Sequence, residues 1–146
     1  MDQGIKLEVL DWGGSGRPLV LLAGLGNTAH IFSDFAPKLT GEFHVYGITR
    51  RGYGASTSAT TGYGVDRLGD DVLAVMNVLR LERPILVGHS IAGEELSAVA
   101  ARNPSKIRGL VYLEAAYPFA YQNPAYPSLS TEIRHVHQGC IPARTA

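Results

Sequence analysis

The sequence predicts an α/β fold of three layers (α/β/α), in which helices cover both faces of a mostly parallel sheet. Short apolar runs alternate along the chain with segments whose apolar residues recur at helical spacing. Strands that alternate with helices are joined by right-handed crossovers, which set the strands parallel. Loops with glycine and polar residues follow the apolar runs. Functional groups should therefore collect at the carboxyl ends of the strands.

The first half of the chain contains three predicted strands. Residues 5–12 alternate apolar and polar side chains, as in a strand with one buried face. Residues 18–22 form a continuous apolar run, which is typical of a strand buried on both faces. A glycine-containing loop and a short helix-like patch through Phe35 come next, and residues 44–48 form the third strand. The loop is thus expected at the carboxyl edge of the sheet.

The second half supplies two helices and two strands. Residues 66–81 carry apolar side chains at helical spacing, and Pro84 stops that helix. The apolar run 85–89 predicts a strand, and a second helix follows the turn after it, to about Arg102. Residues 107–113 predict a last buried strand.

Ser90 stands in the tight turn between the strand 85–89 and the second helix. A serine in a strand–turn–helix unit is the context of a nucleophile elbow, which holds the hydroxyl clear of its surroundings. Small residues such as Gly88 and Ala92 let strand and helix pass close beneath it. The backbone N–H of Ile91 should point to where negative charge develops. The alternative is that Ser90 only caps the helix.

The loop after the second strand has two interpretations. In the first, it is an oxyanion-hole loop, in which the glycines aim the N–H of Leu25 at the site above Ser90. Its candidate residues are Gly24, Leu25, Gly26 and Asn27.

The second interpretation is a dinucleotide-binding loop. Gly24, Gly26 and Ala29 fit the spacing of a dinucleotide fingerprint after a strand, and Arg50 ends the next strand, where the 2′-phosphate of NADP could bind. This interpretation leaves Ser90 and its flanking motif without a role.

Three motifs, in order, resemble the N-terminal half of an α/β-hydrolase across residues 5–120. They are Gly24-Leu25-Gly26-Asn27, Arg51-Gly52-Tyr53-Gly54-Ala55-Ser56 and Gly88-His89-Ser90-Ile91-Ala92-Gly93. Two positions depart from the family pattern, since Ala23 replaces a common histidine and Ala92 a glycine. The resemblance implies a triad of nucleophile, acid and histidine. A serine at the elbow points to hydrolysis of a small-molecule acyl substrate, an ester or amide, with no cofactor.

The resemblance also implies an acid and a base. Glu114 ends the strand after the second helix, where some relatives carry the triad acid, although it could instead be satisfied by local N–H groups. The family's catalytic histidine lies well beyond the last residue of this chain. Among the histidines present, His30, His135 and His137 are candidates for the base, and the last two also for metal ligands. We expect no metal site, and a base role for any of the three is disfavoured.

The remaining expectations concern organisation and setting. Residues 1–120 should form the N-terminal part of the hydrolase core, and residues 121–146 the start of a lid with an irregular, non-native tail. Such a truncated chain would be weakly active, or a non-catalytic fragment that needs another chain and self-associates through an exposed sheet edge. Thirteen basic residues balance 13 acidic ones, which favours no nucleic acid, and no apolar run suits a membrane. The single Cys140 and the lack of a visible leader predict a cytoplasmic protein.

Overall fold

The computed structural model describes residues 4–115, which form a five-stranded sheet and its helices. The strands are β1 (Val9–Gly13), β2 (Arg17–Leu22), β3 (Phe43–Ile48), β4 (Ile85–His89) and β5 (Gly109–Leu113). The helices are α1 (Val65–Val78), α2 (Ala92–Arg102) and three short 3-10 helices at Ala29–Phe32, Ala36–Leu39 and Pro104–Lys106. Within residues 4–115, no helix has both the length and the apolar character needed to cross a membrane. The predicted tail, residues 121–146, lies outside the described residues.

The strands lie in the order β1-β3-β2-β4-β5. β1 is antiparallel to β3, and every other neighbouring pair is parallel, so the predicted α/β class with a mostly parallel sheet is confirmed. From β2 the chain moves outward to β3, and it then crosses back over β2 to reach β4. The loops after β2 and β4 therefore leave the sheet in opposite directions, and such a reversal of strand order opens a crevice at the carboxyl edge.

The central strand β2 is buried on both faces, because its successive side chains enter two separate apolar cores. Val20 and Leu22 pack into the core that α1 and α2 complete. Leu19 and Leu21 pack into a second core with Phe32 of the first 3-10 helix. The continuous apolar run of the sequence is thus explained. Its register brings the ends of β2, β3 and β4 level at one edge of the sheet.

The first strand begins later than its alternating pattern predicts, at Val9 and not at residue 5. The backbone before Val9 forms hydrogen bonds with the loop that follows β3 and not with β3 itself. The carbonyl of Lys6 accepts a hydrogen bond from the N–H of Thr57 at 2.8 Å, and the N–H of Glu8 donates to Ser56 Oγ at 2.9 Å. The alternation is therefore real, but its first residues are paired with the loop that follows β3.

Helix α1 ends at Val78, three residues before the predicted end. Arg80 adopts a left-handed φ of 53°. The N–H of Leu81 then donates to the carbonyl of Met76 at 2.9 Å, and that of Arg80 to Asn77 at 3.2 Å. These two bonds are those of a Schellman motif, which closes a helix.

Candidate active site

Ser90 lies at the carboxyl edge of the sheet with a strained backbone. Its φ is 54°, in the left-handed region that residues other than glycine rarely adopt. Its N–H donates to the carbonyl of Leu113 in β5 at 3.1 Å, and its own carbonyl accepts from the N–H of Gly93 at 3.1 Å. The N-cap of α2 is Ile91, and no side chain caps that helix, so the capping interpretation of Ser90 is wrong. The geometry is that of a nucleophile elbow.

Small residues beneath Ser90 let α2 pass close to β4. A Cβ on Gly88 would lie 2.7 Å from Leu96 Cδ1 and 3.1 Å from the backbone of Ala92. Ala92, which stands where the family usually has glycine, is itself fully buried. The methyl group is therefore accommodated, and the departure from the pattern leaves the turn intact.

The loop at residues 23–27, which we call the glycine loop, packs directly beside the elbow. A Cβ on Gly24 would lie 3.2 Å from Ser90 Cβ and 2.8 Å from Nδ1 of His89. The N–H of Asn27 donates to the carbonyl of Gly24 at 3.3 Å, which closes the turn. Gly26 has a φ of 79°. The structure thus brings together the two motifs that the sequence singled out on separate strands.

Two backbone N–H groups near this edge lack an acceptor in the part of the chain that the structure describes. The N–H groups of Leu25 and Ile91 donate no hydrogen bond to another residue of the described range, and neither does the Ser90 hydroxyl. Ile91 stands at the N-terminus of α2, where the helix dipole is positive. Unsatisfied N–H groups beside an unbonded hydroxyl can stabilise negative charge on a bound oxygen.

Glu114 emerges at the same edge of the sheet, directly after β5. Its predecessor Leu113 pairs with His89 and accepts the hydrogen bond from Ser90. Glu114 is exposed and has a φ of 44°. Among residues 4–115, its carboxylate forms no ion pair or hydrogen bond. The residue is thus close in the fold to the elbow, and its carboxylate has no partner in the described part of the chain.

No histidine side chain in the described part of the chain forms a hydrogen bond with Ser90. His30 Nε2 lies 3.1 Å from Oε1 of Glu8, at an exposed position. In this structure His30 thus contacts Glu8 and not Ser90. His135 and His137 lie outside the described residues, so no contact tests them as base or metal ligands.

Arg50 occupies a different place from the one that the dinucleotide interpretation requires. Its side chain is only 8% exposed and forms an ion pair with Glu95 of α2. Nε donates to Glu95 Oε1 at 2.5 Å, and Nη2 donates to the carbonyl of Ala23 at 3.0 Å. Because the guanidinium is buried against the glycine loop, it is not displayed for a 2′-phosphate.

Arg51 is fully buried and forms a structural ion pair. Its Nε and Nη2 each lie 2.6 Å from an oxygen of Asp71 in α1. This pair fixes the loop after β3 to α1.

Glu95 is a site neighbour that the sequence analysis did not single out. Burial raises the pKa of its carboxyl from 4.5 to about 7, although the charge of Arg50 acts in the opposite direction. A cavity of about 10 Å³ lies between Arg50, Glu95 and Asn27, and Asp71 and apolar residues complete its wall. The only signal in the sequence was an acid one position before Leu96, on the buried side of the helix.

Comparison with known proteins gives a consistent result. The family model described as alpha/beta hydrolase fold matches residues 17–133. The AB hydrolase superfamily protein YisY of Bacillus subtilis is 36% identical over 120 residues, which are 78% of this chain and 43% of that protein. The pimeloyl-[acyl-carrier protein] methyl ester esterase of Edwardsiella ictaluri is 28% identical over 135 residues, which are 90% of this chain and 50% of that protein.

A solved structure agrees with these sequences. A hydrolase from Pseudomonas aeruginosa has a TM-score of 0.76 and 29% identity, with 95% of this chain and 51% of that chain covered. The chain spans half or less of the length of the curated relatives named above. The family match extends from β2 through β5, the strands that carry the glycine loop, the elbow and Glu114. The chain belongs to the α/β-hydrolase family.

Proposed function

We propose that this chain carries the nucleophile and the oxyanion-binding groups of a serine hydrolase that cleaves small-molecule esters or amides. The observation that carries the proposal is the left-handed backbone of Ser90 beside the N–H groups of Leu25 and Ile91, which have no acceptor among residues 4–115. These groups lie where the strand order reverses, which is the usual place for a ligand in such sheets.

In the proposed reaction, Ser90 Oγ attacks the acyl carbonyl carbon, and the carbonyl π electrons move onto oxygen. The N–H groups of Leu25 and Ile91 stabilise that oxyanion, and Gly24, Gly26 and Asn27 shape the loop around it. A histidine takes the proton from the serine and returns it to the leaving alcohol or amine. Water then hydrolyses the acyl-enzyme.

Glu114 is proposed as the acid that orients this histidine. Its place after β5 supports the role, as does a carboxylate that has no partner among residues 4–115. No histidine side chain within residues 4–115 forms a hydrogen bond with Ser90 in this structure, in which His30 and His44 contact Glu8 and Asp11. Without a base, we expect only the residual rate of an oxyanion hole, about 10³–10⁴ over water.

The remaining proposals concern the whole chain. Residues 1–120 are proposed as the first part of the core, and residues 121–146 as the start of a lid and an irregular tail. The activity of the 146-residue chain alone is therefore proposed to be weak. A cytoplasmic location is also proposed, supported by the single cysteine. Acyl transfer through a serine requires no cofactor.

A fluorophosphonate probe tests the proposed nucleophile. We expect a mass increase on the purified chain that is lost in Ser90→Ala. Labelling would show an activated Ser90 and direct the search for the base to His30, His135 and His137. No labelling of a chain that melts cooperatively would contradict activation of the serine in this chain and favour the non-catalytic fragment.

A further inference from the structure

The guanidinium of Arg50 joins the two segments that form the candidate site. One side contacts the carbonyl oxygen of Ala23, the residue directly before Gly24. The other side contacts the carboxylate of Glu95, which lies in the first turn of α2 behind Ser90. One side chain from the end of β3 thus connects the glycine loop to the helix that carries the elbow.

The burial of this pair indicates a geometric role. Arg50 and Glu95 are 8% and 5% exposed, so both polar groups are removed from water. A buried ion pair often contributes no more stability than apolar side chains of the same volume would. Its geometry, however, is directional, because the planar guanidinium presents its N–H groups in fixed directions.

The third nitrogen of the guanidinium supports the same conclusion. Arg50 Nη1 is buried and has no hydrogen-bond partner among the described residues. The side chain borders the cavity of about 10 Å³ that Asn27 also lines. An unsatisfied buried donor costs free energy. Arg50 therefore lies where it contacts Ala23 and Glu95, although one of its own N–H groups has no acceptor among the described residues.

We propose that Arg50 is a positioning residue, which holds the glycine loop at a fixed distance from Ser90 by joining Ala23 to Glu95. This inference rests on the proposed function, because the place of the loop matters to catalysis only if Leu25 donates to an oxyanion. Arg51 forms a similar pair with Asp71, but that pair fixes the chain to α1. Arg50 is thus distinguished by its contact with the loop itself.

The first test measures the loop without any chemistry. In the full chain, NMR order parameters of the amides at positions 24–27 should be about 0.85 and fall below about 0.6 in Arg50→Gln. Arg50→Lys keeps a positive charge beside Glu95 and should fold, but an ammonium cannot reproduce the planar contact with both partners. If Arg50→Gln fails to fold, the order parameters are therefore measured in Arg50→Lys.

Arg102→Gln is the matched control. Arg102 also joins α2 to another element, through Asp70 and the carbonyl of Asp66, but it lies at the far end of the helix from Ser90. Its removal should leave the order parameters at positions 24–27 unchanged. Equal order parameters in the wild type, Arg50→Lys and Arg102→Gln would overturn the proposal.

The second test follows the rate of Ser90 phosphonylation by a fluorophosphonate. Arg50→Lys should lower that rate at least tenfold, and Arg102→Gln should leave it within twofold of the wild type. If the wild type is not labelled at all, the proposed function fails, and the order parameters still decide the role of Arg50. A loosened loop with an unchanged labelling rate would overturn the positioning role in catalysis.

Discussion

Ser90 holds a backbone conformation that costs free energy, and its neighbours maintain it. A left-handed φ at a residue other than glycine costs on the order of 1–3 kcal/mol. The hydrogen bonds to Leu113 and from Gly93 fix both sides of the residue, so three elements hold the turn. The strain therefore belongs to the tertiary structure and not to the local sequence.

This strain predicts that position 90 favours glycine over alanine, which is the reverse of the preference inside a helix. Ser90→Gly should be more stable than Ser90→Ala by about 1 kcal/mol in urea unfolding, because glycine adopts this φ without a steric penalty. At Ser97, inside α2, the order should be reversed by a similar amount, since glycine weakens a helix interior. If the same residue, glycine or alanine, gave the more stable variant at both positions, the left-handed turn at Ser90 would be contradicted.

Glu95 predicts a dependence of stability on pH. Burial raises its pKa to about 7 in the folded chain, against 4.5 for an ordinary glutamate, so the folded state holds the proton more tightly. The resulting stabilisation is complete below pH 4.5 and is lost as the pH rises through 7, a change of about 3 kcal/mol in the free energy of unfolding.

The matched variant for this prediction is Glu95→Gln, which has no proton to lose at this position. Its stability relative to the wild type should increase between pH 4.5 and 7.5, as measured by urea unfolding at each pH. The comparison cancels other groups, such as Glu8, whose pKa is lowered mainly by its hydrogen bond from Thr49. A constant difference across this range would mean that Glu95 titrates normally.

At the scale of single residues, motif spacing determined what could be predicted. Ser90 and Gly24 were identified because an elbow and its neighbouring loop follow strands in a fixed order. The pair between Arg50 and Glu95 was not identified, because it depends on how the end of β3 meets α2. Neither the charge of these residues nor their hydropathy indicates which partner they find.

At the scale of elements, the glycine loop and the elbow depend on close approach. Gly24→Ala should reduce labelling of Ser90 by a fluorophosphonate at least tenfold, because the new Cβ would lie 2.8 Å from Nδ1 of His89 and 3.2 Å from Ser90 Cβ. Gly41→Ala is the control, since a Cβ there meets no atom within 4 Å. Both chains should be compared by thermal melting, and equal labelling of both would show that the loop tolerates a side chain.

The elements around the site were predicted better than those at its margins. The limits of β2, β4 and α2 agree with their apolar patterns to within about a residue, because each of these elements packs into the apolar cores on the faces of the sheet. The start of β1 and the end of α1 were misplaced. Their limits are set by a hydrogen bond to Thr57 and by the left-handed Arg80, which the hydrophobic pattern does not encode.

At the scale of the whole molecule, β5 leaves an apolar surface open. Val111 and Leu113 are 41% and 36% exposed and lie on one face of the strand. Within residues 4–115, β5 pairs only with β4. An apolar face beside a strand edge that has no partner among residues 4–115 favours association with another chain.

We therefore expect the chain to self-associate, with a mass in light scattering that increases with concentration above the 15.7 kDa of a monomer. Val111→Lys should shift the chain toward the monomer. Ile31→Lys places the same charge at another exposed apolar residue, in the first 3-10 helix, and should have no such effect. A monomer at all concentrations in the wild type would contradict this expectation.

The strand order also determines when, during synthesis, a reactive serine can exist. Leu19 of β2 lies opposite Val45 in β3 and opposite Ile85 in β4. A nascent chain can therefore pair β2 with β3 before β4 has left the ribosome. Ser90 gains the partner for its N–H only when Leu113 has been added. Ribosome-bound chains that end before β5 contain the serine but lack the partner of its N–H, so the elbow is completed only after β5 has been added.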